Sequence, residues 1–212
     1  IIIFYSIFRS FLFLLLKRPD IVFGMGGYSS FPVCIAAKVL NIPFIIYENN
    51  LFIGKANKYL LPFAKKIFVS HEQLQGIAEK YQKKVNVIGN IIRKEIINFG
   101  NTSSDESYKK LKILILGGSQ AAKIFAEKLP EIFKKCKQAE ISLKVYQQCL
   151  PEQSKYLTTF YENSKIDHEI FNFTNNILDY FAKINLAITR SGSSMLAELI
   201  NARIPFISVP LP

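Results

Sequence analysis

The sequence predicts an α/β protein of two parallel-sheet halves, joined by a polar linker, whose loops face each other across a cleft. Three observations carry this. Short apolar strands alternate with helical runs at βα spacing. Clusters rich in Gly or Asn fall at the strand C-termini, where parallel sheets place their sites. The rhythm stops at FGNTSSDESYKK, residues 99–110, which has no apolar period, and then restarts. The expected division is therefore 1–98, a linker 99–110, and 111–212.

The chain opens on IIIFYSIFRSFLFLLL, closed by Lys17-Arg18-Pro19. A bilayer span needs about 20 apolar residues, and this run is shorter and carries Arg9 in its middle. It has no initiating Met and no basic segment before it, so a signal peptide fits poorly. A helix with one buried face is expected. Its outer face is either plain core packing or an apolar patch, rimmed by Arg9, Lys17 and Arg18, that rests on an anionic membrane. Strands follow at Ile21–Phe23, Pro43–Tyr47, Lys66–Ser70 and Val85–Ile88, with helices at Phe31–Leu40, Gly54–Phe63 and His71–Tyr81 between them. Beyond the linker, strands are expected at Leu111–Leu116, Ile141–Tyr146, His168–Phe173, Asn185–Ile188 and Pro205–Val209. Helices are expected at Ala121–Lys135, Pro151–Tyr161, Asn176–Ala182 and after Gly192.

Half of the residues are hydrophobic, ample for a core, and the net charge is +11. Up to Phe99 there are 13 Lys/Arg against 5 Asp/Glu, and 14 against 11 thereafter, so the first half is the basic one. Basic surfaces attract nucleic acid, anionic lipid or phosphorylated substrates. No Arg-rich run or RNA-binding aromatic signature is present, so no nucleic-acid partner is expected. Cys34, Cys136 and Cys149 are scattered and point to ordinary thiols in a reducing compartment. Two histidines, no CxxC pair and no HExxH exclude a zinc site, and no Ser–His–Asp order supports a triad.

The most informative stretch is Ile188-Thr189-Arg190-Ser191-Gly192-Ser193-Ser194-Met195-Leu196-Ala197-Glu198-Leu199. Strand, small-residue turn and helix together aim backbone N–H groups and a helix dipole at an anion. Glu198, one turn in, would repel phosphate at contact but suits the two hydroxyl donors of a ribose. A nucleotide site is expected, with diphosphate at the turn and sugar at Glu198. An ordinary Ser N-cap is the alternative. Gly117-Gly118-Ser119-Gln120 and Gly24-Met25-Gly26-Gly27 are weaker signals, each readable as a tight turn alone. Asn50 and Arg93 stand just past strand ends, placed to reach a cleft.

Taken in order, these pieces resemble the MurG family. The resemblance is carried by Arg18-Pro19-Asp20-Ile21-Val22 with Gly24-Met25-Gly26-Gly27-Tyr28, and by Tyr47-Glu48-Asn49-Asn50 with Gly54-Lys55-Ala56-Asn57-Lys58. It continues through Gly89-Asn90-Ile91-Ile92-Arg93, Gly117-Gly118-Ser119-Gln120 and Arg190-Ser191-Gly192-Ser193-Ser194-Met195-Leu196-Ala197-Glu198. The resemblance implies a GT-B-like fold of two Rossmann-type domains, both incomplete here: an acceptor and membrane domain, then a donor domain. It implies inverting transfer of N-acetylglucosamine (GlcNAc) from UDP-GlcNAc to lipid I, giving lipid II for peptidoglycan. No cofactor or metal is implied. The muramyl 4-hydroxyl would attack the anomeric carbon as UDP departs. Asn50, Arg93 and Ser119 would contact the donor, Thr174 would meet the uracil through its main chain, and Ser193, Ser194, Met195, Leu196, Ala197 and Glu198 would hold diphosphate and ribose. The 1–18 helix would dock peripherally on the cytoplasmic face of the inner membrane.

Departures from the family pattern accompany this. Tyr47-Glu48-Asn49-Asn50 stands where the family has His-Glu-Gln-Asn, Ala121 where it has Gly, and Tyr146-Gln147-Gln148-Cys149 where it has His-Gln-Ser/Thr-Gly. The family's first glycine loop, with its proposed catalytic His, lies before Ile1, and its Gln-rich donor segment lies after Pro212. The general base is therefore unassigned, with Glu48 a candidate by position only. The expectation is weak donor binding and little turnover by this chain alone. An inactive remnant, or a donor-binding subunit of a split transferase, is the alternative. A sugar-nucleotide epimerase of the same architecture would need catalytic carboxylates and histidines not found here.

Overall fold

The computed structural model describes residues 2–99 and 110–210, the side chains of 118–122 excepted. The expected linker thus lies almost wholly outside the described residues. The chain divides into two compact units, Ile1–Ile91 and Ile92–Pro212.

The first unit holds a parallel sheet in the order β1 (Val22–Gly24), β2 (Phe44–Glu48), β3 (Lys66–Val69), β4 (Val85–Val87). Helix α2 (Gly27–Val39) packs on it through Cys34, Ala36 and Ala37, which are fully buried with Ile46 and Ile67. Small side chains there bring the helix axis close to the strands. Helix α3 is Lys55–Leu60. Helix α1 (Ile2–Lys17) lies along α2 and buries only Leu14 fully, leaving Ile2, Phe4, Phe8, Phe13 and Leu16 exposed. Among the described residues no helix is long and apolar enough to cross a membrane.

One expected helix is absent. In place of an α-helix over 71–81, residues 71–78 form turns and a bridge, and Glu79–Lys84 a 3₁₀ turn. Gly76 at φ +81° takes a left-handed conformation that no helix interior accepts. Gln75 exchanges backbone hydrogen bonds with Leu51 and Ile53 and pairs with Phe52, so its amide and carbonyl serve a neighbouring loop. The apolar spacing of the segment satisfies that docking as well as it would a helix.

The second unit begins earlier than expected. Helix α4 (Lys94–Ile97) belongs to it: Ile96 is buried in its core, and the Asn201 side chain donates to the Ile96 carbonyl at 2.8 Å. The unit's parallel sheet runs in the order β7 (Asp167–Phe171), β6 (Leu143–Gln148), β5 (Leu111–Leu116), β8 (Leu186–Arg190), β9 (Phe206–Val209). Alternation along β5 sends Ile113 and Ile115 into one core, shared with α5 (Gly118–Gln138) and α6 (Pro151–Asn163). Leu114 and Leu116 enter the other, shared with α7 (Leu178–Phe181) and α8 (Ser193–Asn201). The connection reverses direction between β5 and β8. In a doubly wound sheet this switch point opens a crevice at the strand carboxyl ends.

Candidate functional site

A cavity of about 350 Å³ occupies that crevice. Its walls come from the ends of β5 (Leu116, Gly117), β6 (Gln148) and β8 (Thr189, Arg190), from Phe173, Thr174 and Ile177, and from Gly192 and Met195 at the entry to α8, with Arg93 beside them. The charged residues of this lining are Arg190 and Arg93, the latter with its charge balanced by Glu198, so the crevice offers guanidinium donors to an anion.

The turn into α8 is built as a backbone platform. Gly192, not a serine, is the N-cap, and no side chain caps the helix. This removes the ordinary Ser-cap alternative. Ser191 is committed to its own sheet: its N–H donates to the Val209 carbonyl, and its hydroxyl lies 2.6 Å from that of Ser208. A Cβ added at Gly192 would meet no protein atom within 4 Å, so the backbone there borders open space. With φ at −79°, the position does not need glycine for its conformation.

Glu198 stands one turn into α8 with only 12% of its side chain exposed. The Arg93 guanidinium grips it side-on, Nε to Oε1 at 2.9 Å and Nη2 to Oε2 at 2.8 Å. This bond and the charge of Glu198 hold the guanidinium pKa above its ordinary value. Two residues singled out separately in the sequence are thus one unit.

The other expected residues divide. Thr174 and Met195 line the cavity, while Ser193 and Ser194 form the first turn of α8. Leu196 and Ala197 do not line it. Ala197 is buried because the helical period turns it onto the packed face. Ser119 falls in the first turn of α5, with its side chain outside the described residues. Gln148 and Thr189, quoted within sequence motifs but not assigned to a site, also line the cavity. Both lie at strand carboxyl ends in the crevice, a signal the β/α rhythm already contained.

Asn50 belongs to a different cavity, about 270 Å³, in the first unit. That cavity is lined by Met25, Gly26, Gly27 and Tyr28 and by the loop from Glu48 to Asn57. Glu48 is buried there, and its carboxylate accepts from the Asn50 N–H (3.1 Å), Asn50 Nδ2 (2.8 Å), the Gly54 N–H (2.8 Å) and Asn57 Nδ2 (3.0 Å). A carboxylate so occupied holds a loop. It is poorly disposed to take a proton from substrate. Tyr47, where a His was expected from the resemblance, donates from Oη to the Gly89 carbonyl and accepts from the Ile91 N–H. Among the described residues no group of His, Cys, Asp and Glu could hold a metal.

Residues 2–69 match the glycosyltransferase family 28 N-terminal domain, and residues 112–212 match its C-terminal domain. The chain belongs to glycosyltransferase family 28. Within it the similarity is to MurG. The chain is 34% identical over 98% of its length to the UDP-N-acetylglucosamine–N-acetylmuramyl-(pentapeptide) pyrophosphoryl-undecaprenol N-acetylglucosamine transferase of Pelagibacter ubique, spanning 58% of that protein. The crystal structure of Acinetobacter baumannii MurG superposes over 99% of this chain and 58% of that one, with TM-score 0.70 and 26% identity. A UDP-GlcNAc 2-epimerase from Neisseria meningitidis, bound to UDP-GlcNAc, shares the fold at TM-score 0.69 and 16% identity, covering 98% of this chain and 64% of that one. The expected GT-B-like class, with a parallel sheet in each half, holds. The chain spans somewhat over half the length of the family 28 relatives it matches.

Proposed function

We propose that the second unit is the UDP-GlcNAc site of an inverting GlcNAc transferase, the whole protein passing the sugar to lipid I to form lipid II. The observation that carries this reading is the switch-point crevice. Its charged lining is cationic, an uncapped helix N-terminus opens onto it, and a carboxylate stands one turn further in. Diphosphate would lie against the Gly192–Met195 backbone, where fixed N–H dipoles stabilise the charge on the departing UDP. Glu198 would take the ribose hydroxyls, and Thr174 would meet the uracil. Asn50 and Ser119 remain assigned to the sugar donor by resemblance alone.

Helix α1 supports docking on the cytoplasmic face of an anionic inner membrane. Leu16, Ile2 and Phe4 are 84%, 81% and 79% exposed, beside the cations Arg9, Lys17 and Arg18. An apolar face this open in water calls for a covering phase, and the basic rim selects a negative one.

The test is calorimetric titration with UDP-GlcNAc and UDP-glucose. Binding to the wild-type chain is expected, with Glu198→Ala costing roughly 1–3 kcal/mol, the scale of hydrogen bonds to a charged group. Equal affinity of wild type and variant would remove Glu198 from the site.

A further inference from the structure

The Arg93–Glu198 pair has a feature that a simple brace would not need. Arg93 lines the switch-point cavity and also a neighbouring one of about 340 Å³ that includes Glu95, Asn175 and Asn176. Glu198 lines neither. The guanidinium therefore stands between the open crevice and the carboxylate, half exposed while its partner is almost covered.

The chemistry of the two donor pairs is alike. A side-on guanidinium presents two adjacent N–H groups to the two oxygens of a carboxylate, as here at 2.9 and 2.8 Å. A ribose 2′,3′-diol presents two adjacent O–H groups to the same two oxygens. A carboxylate this buried also needs a partner at all times, because leaving it unpaired carries a desolvation penalty.

Resting on the reading of the crevice as a nucleoside-diphosphate site, we propose that Arg93 is an exchangeable stand-in for the ribose diol. In the free protein it holds Glu198. On binding, the diol takes over the carboxylate, and the released guanidinium turns its fork to the diphosphate, whose paired oxygens can also accept from both of its N–H groups. Arg93 then acts in specificity. Only a ligand that carries both a diol to displace it and a diphosphate to receive it restores both partnerships. A nucleoside alone displaces the guanidinium and leaves it without an anion.

The exchange predicts effects of opposite sign on two ligands. UDP is titrated by calorimetry, and uridine by ligand-observed NMR, into the 212-residue chain and into Arg93→Ala, with 2′,3′-dideoxyuridine as control. Arg93→Ala should weaken UDP roughly tenfold, the loss of one charge-assisted contact, and tighten uridine by about threefold or more as its competitor is removed. Dideoxyuridine should not gain. If Arg93→Ala fails to melt cooperatively, Arg93→Lys, which keeps the charge and loses the fork, carries the test with the same sign for uridine. Uridine binding that is weakened or unchanged in a folded variant overturns the exchange and leaves Arg93 a brace, with the nucleotide site intact. Failure of UDP to bind the wild-type chain overturns the site reading, and the exchange with it.

Discussion

Asn57 and Glu48, nine positions apart, are joined by a buried 3.0 Å hydrogen bond from Nδ2 to Oε2, while the same amide donates to the Tyr47 carbonyl at 3.0 Å. With the Asn50 and Gly54 donors, this makes one carboxylate the fastening point of the loop that walls the first unit's cavity. Glu48→Gln turns one acceptor oxygen into a donor facing donors. A loss of about 2 kcal/mol in urea unfolding is expected, within the range for hydrogen bonds to a charged group. A variant as stable as wild type would mean that the loop holds without its carboxylate.

Gly24 ends β1 against Cys34, and a Cβ added there would lie 2.7 Å from the thiol sulfur, which is fully buried. Gly24→Ala should therefore destabilise by about 1–3 kcal/mol through overpacking. Cys34→Ala removes the obstructing sulfur, so the double variant should be more stable than the sum of the single losses implies. The coupling expected is roughly 0.5–3 kcal/mol. Strict additivity in a double-mutant cycle would rule out the clash as the cause.

Gly192 offers a cleaner probe of ligand contact. Its φ is ordinary and its missing Cβ faces open space, so Gly192→Ala should leave the melting temperature within about 2 °C of wild type, the shift for well under 1 kcal/mol in a chain of this size. If pyrophosphate lies against this backbone, the added methyl should weaken UDP by roughly tenfold, or about 1.4 kcal/mol. Unchanged affinity would place the phosphates elsewhere.

Alkaline stability follows from three buried acids. Burial pushes the Tyr180 phenol up to about 12, helped by its hydrogen bond to Glu169, and the Cys34 thiol up to about 11. Burial raises Tyr161 as well. Each folded pKa lies above its unfolded value, so the folded state holds these protons longer. The stability they contribute is complete below the ordinary thiol and phenol range and is lost as pH rises through the folded values. Melting temperatures should fall steadily from about pH 9 to pH 12. Tyr180→Phe should flatten that fall, and a variant with the wild-type slope would exclude Tyr180 as a contributor.

Much of this protein was legible in the chain, because its strongest signals are local. Strand alternation in Leu111–Leu116, the apolar run of α1 and the small-residue entry to α8 each follow from a few neighbouring residues. The helix expected at 71–81 failed because Gly76 and Gln75 answer to a loop twenty residues away. The seam at Ile91 was hidden for a related reason: Ile96 is apolar on either reading, and only Asn201 and the surrounding core decide which sheet it joins.

By itself the sequence determined the β/α rhythm, the small-residue turn before α8 and the placing of an acid one turn beyond it, since periodicity and residue size act over short range. Only the tertiary structure decided that Arg93 and Glu198, 105 positions apart, are a single bidentate pair, and that Glu48 is consumed by its own loop. A carboxylate's role is set by which donors reach it in space, and chain spacing does not encode that.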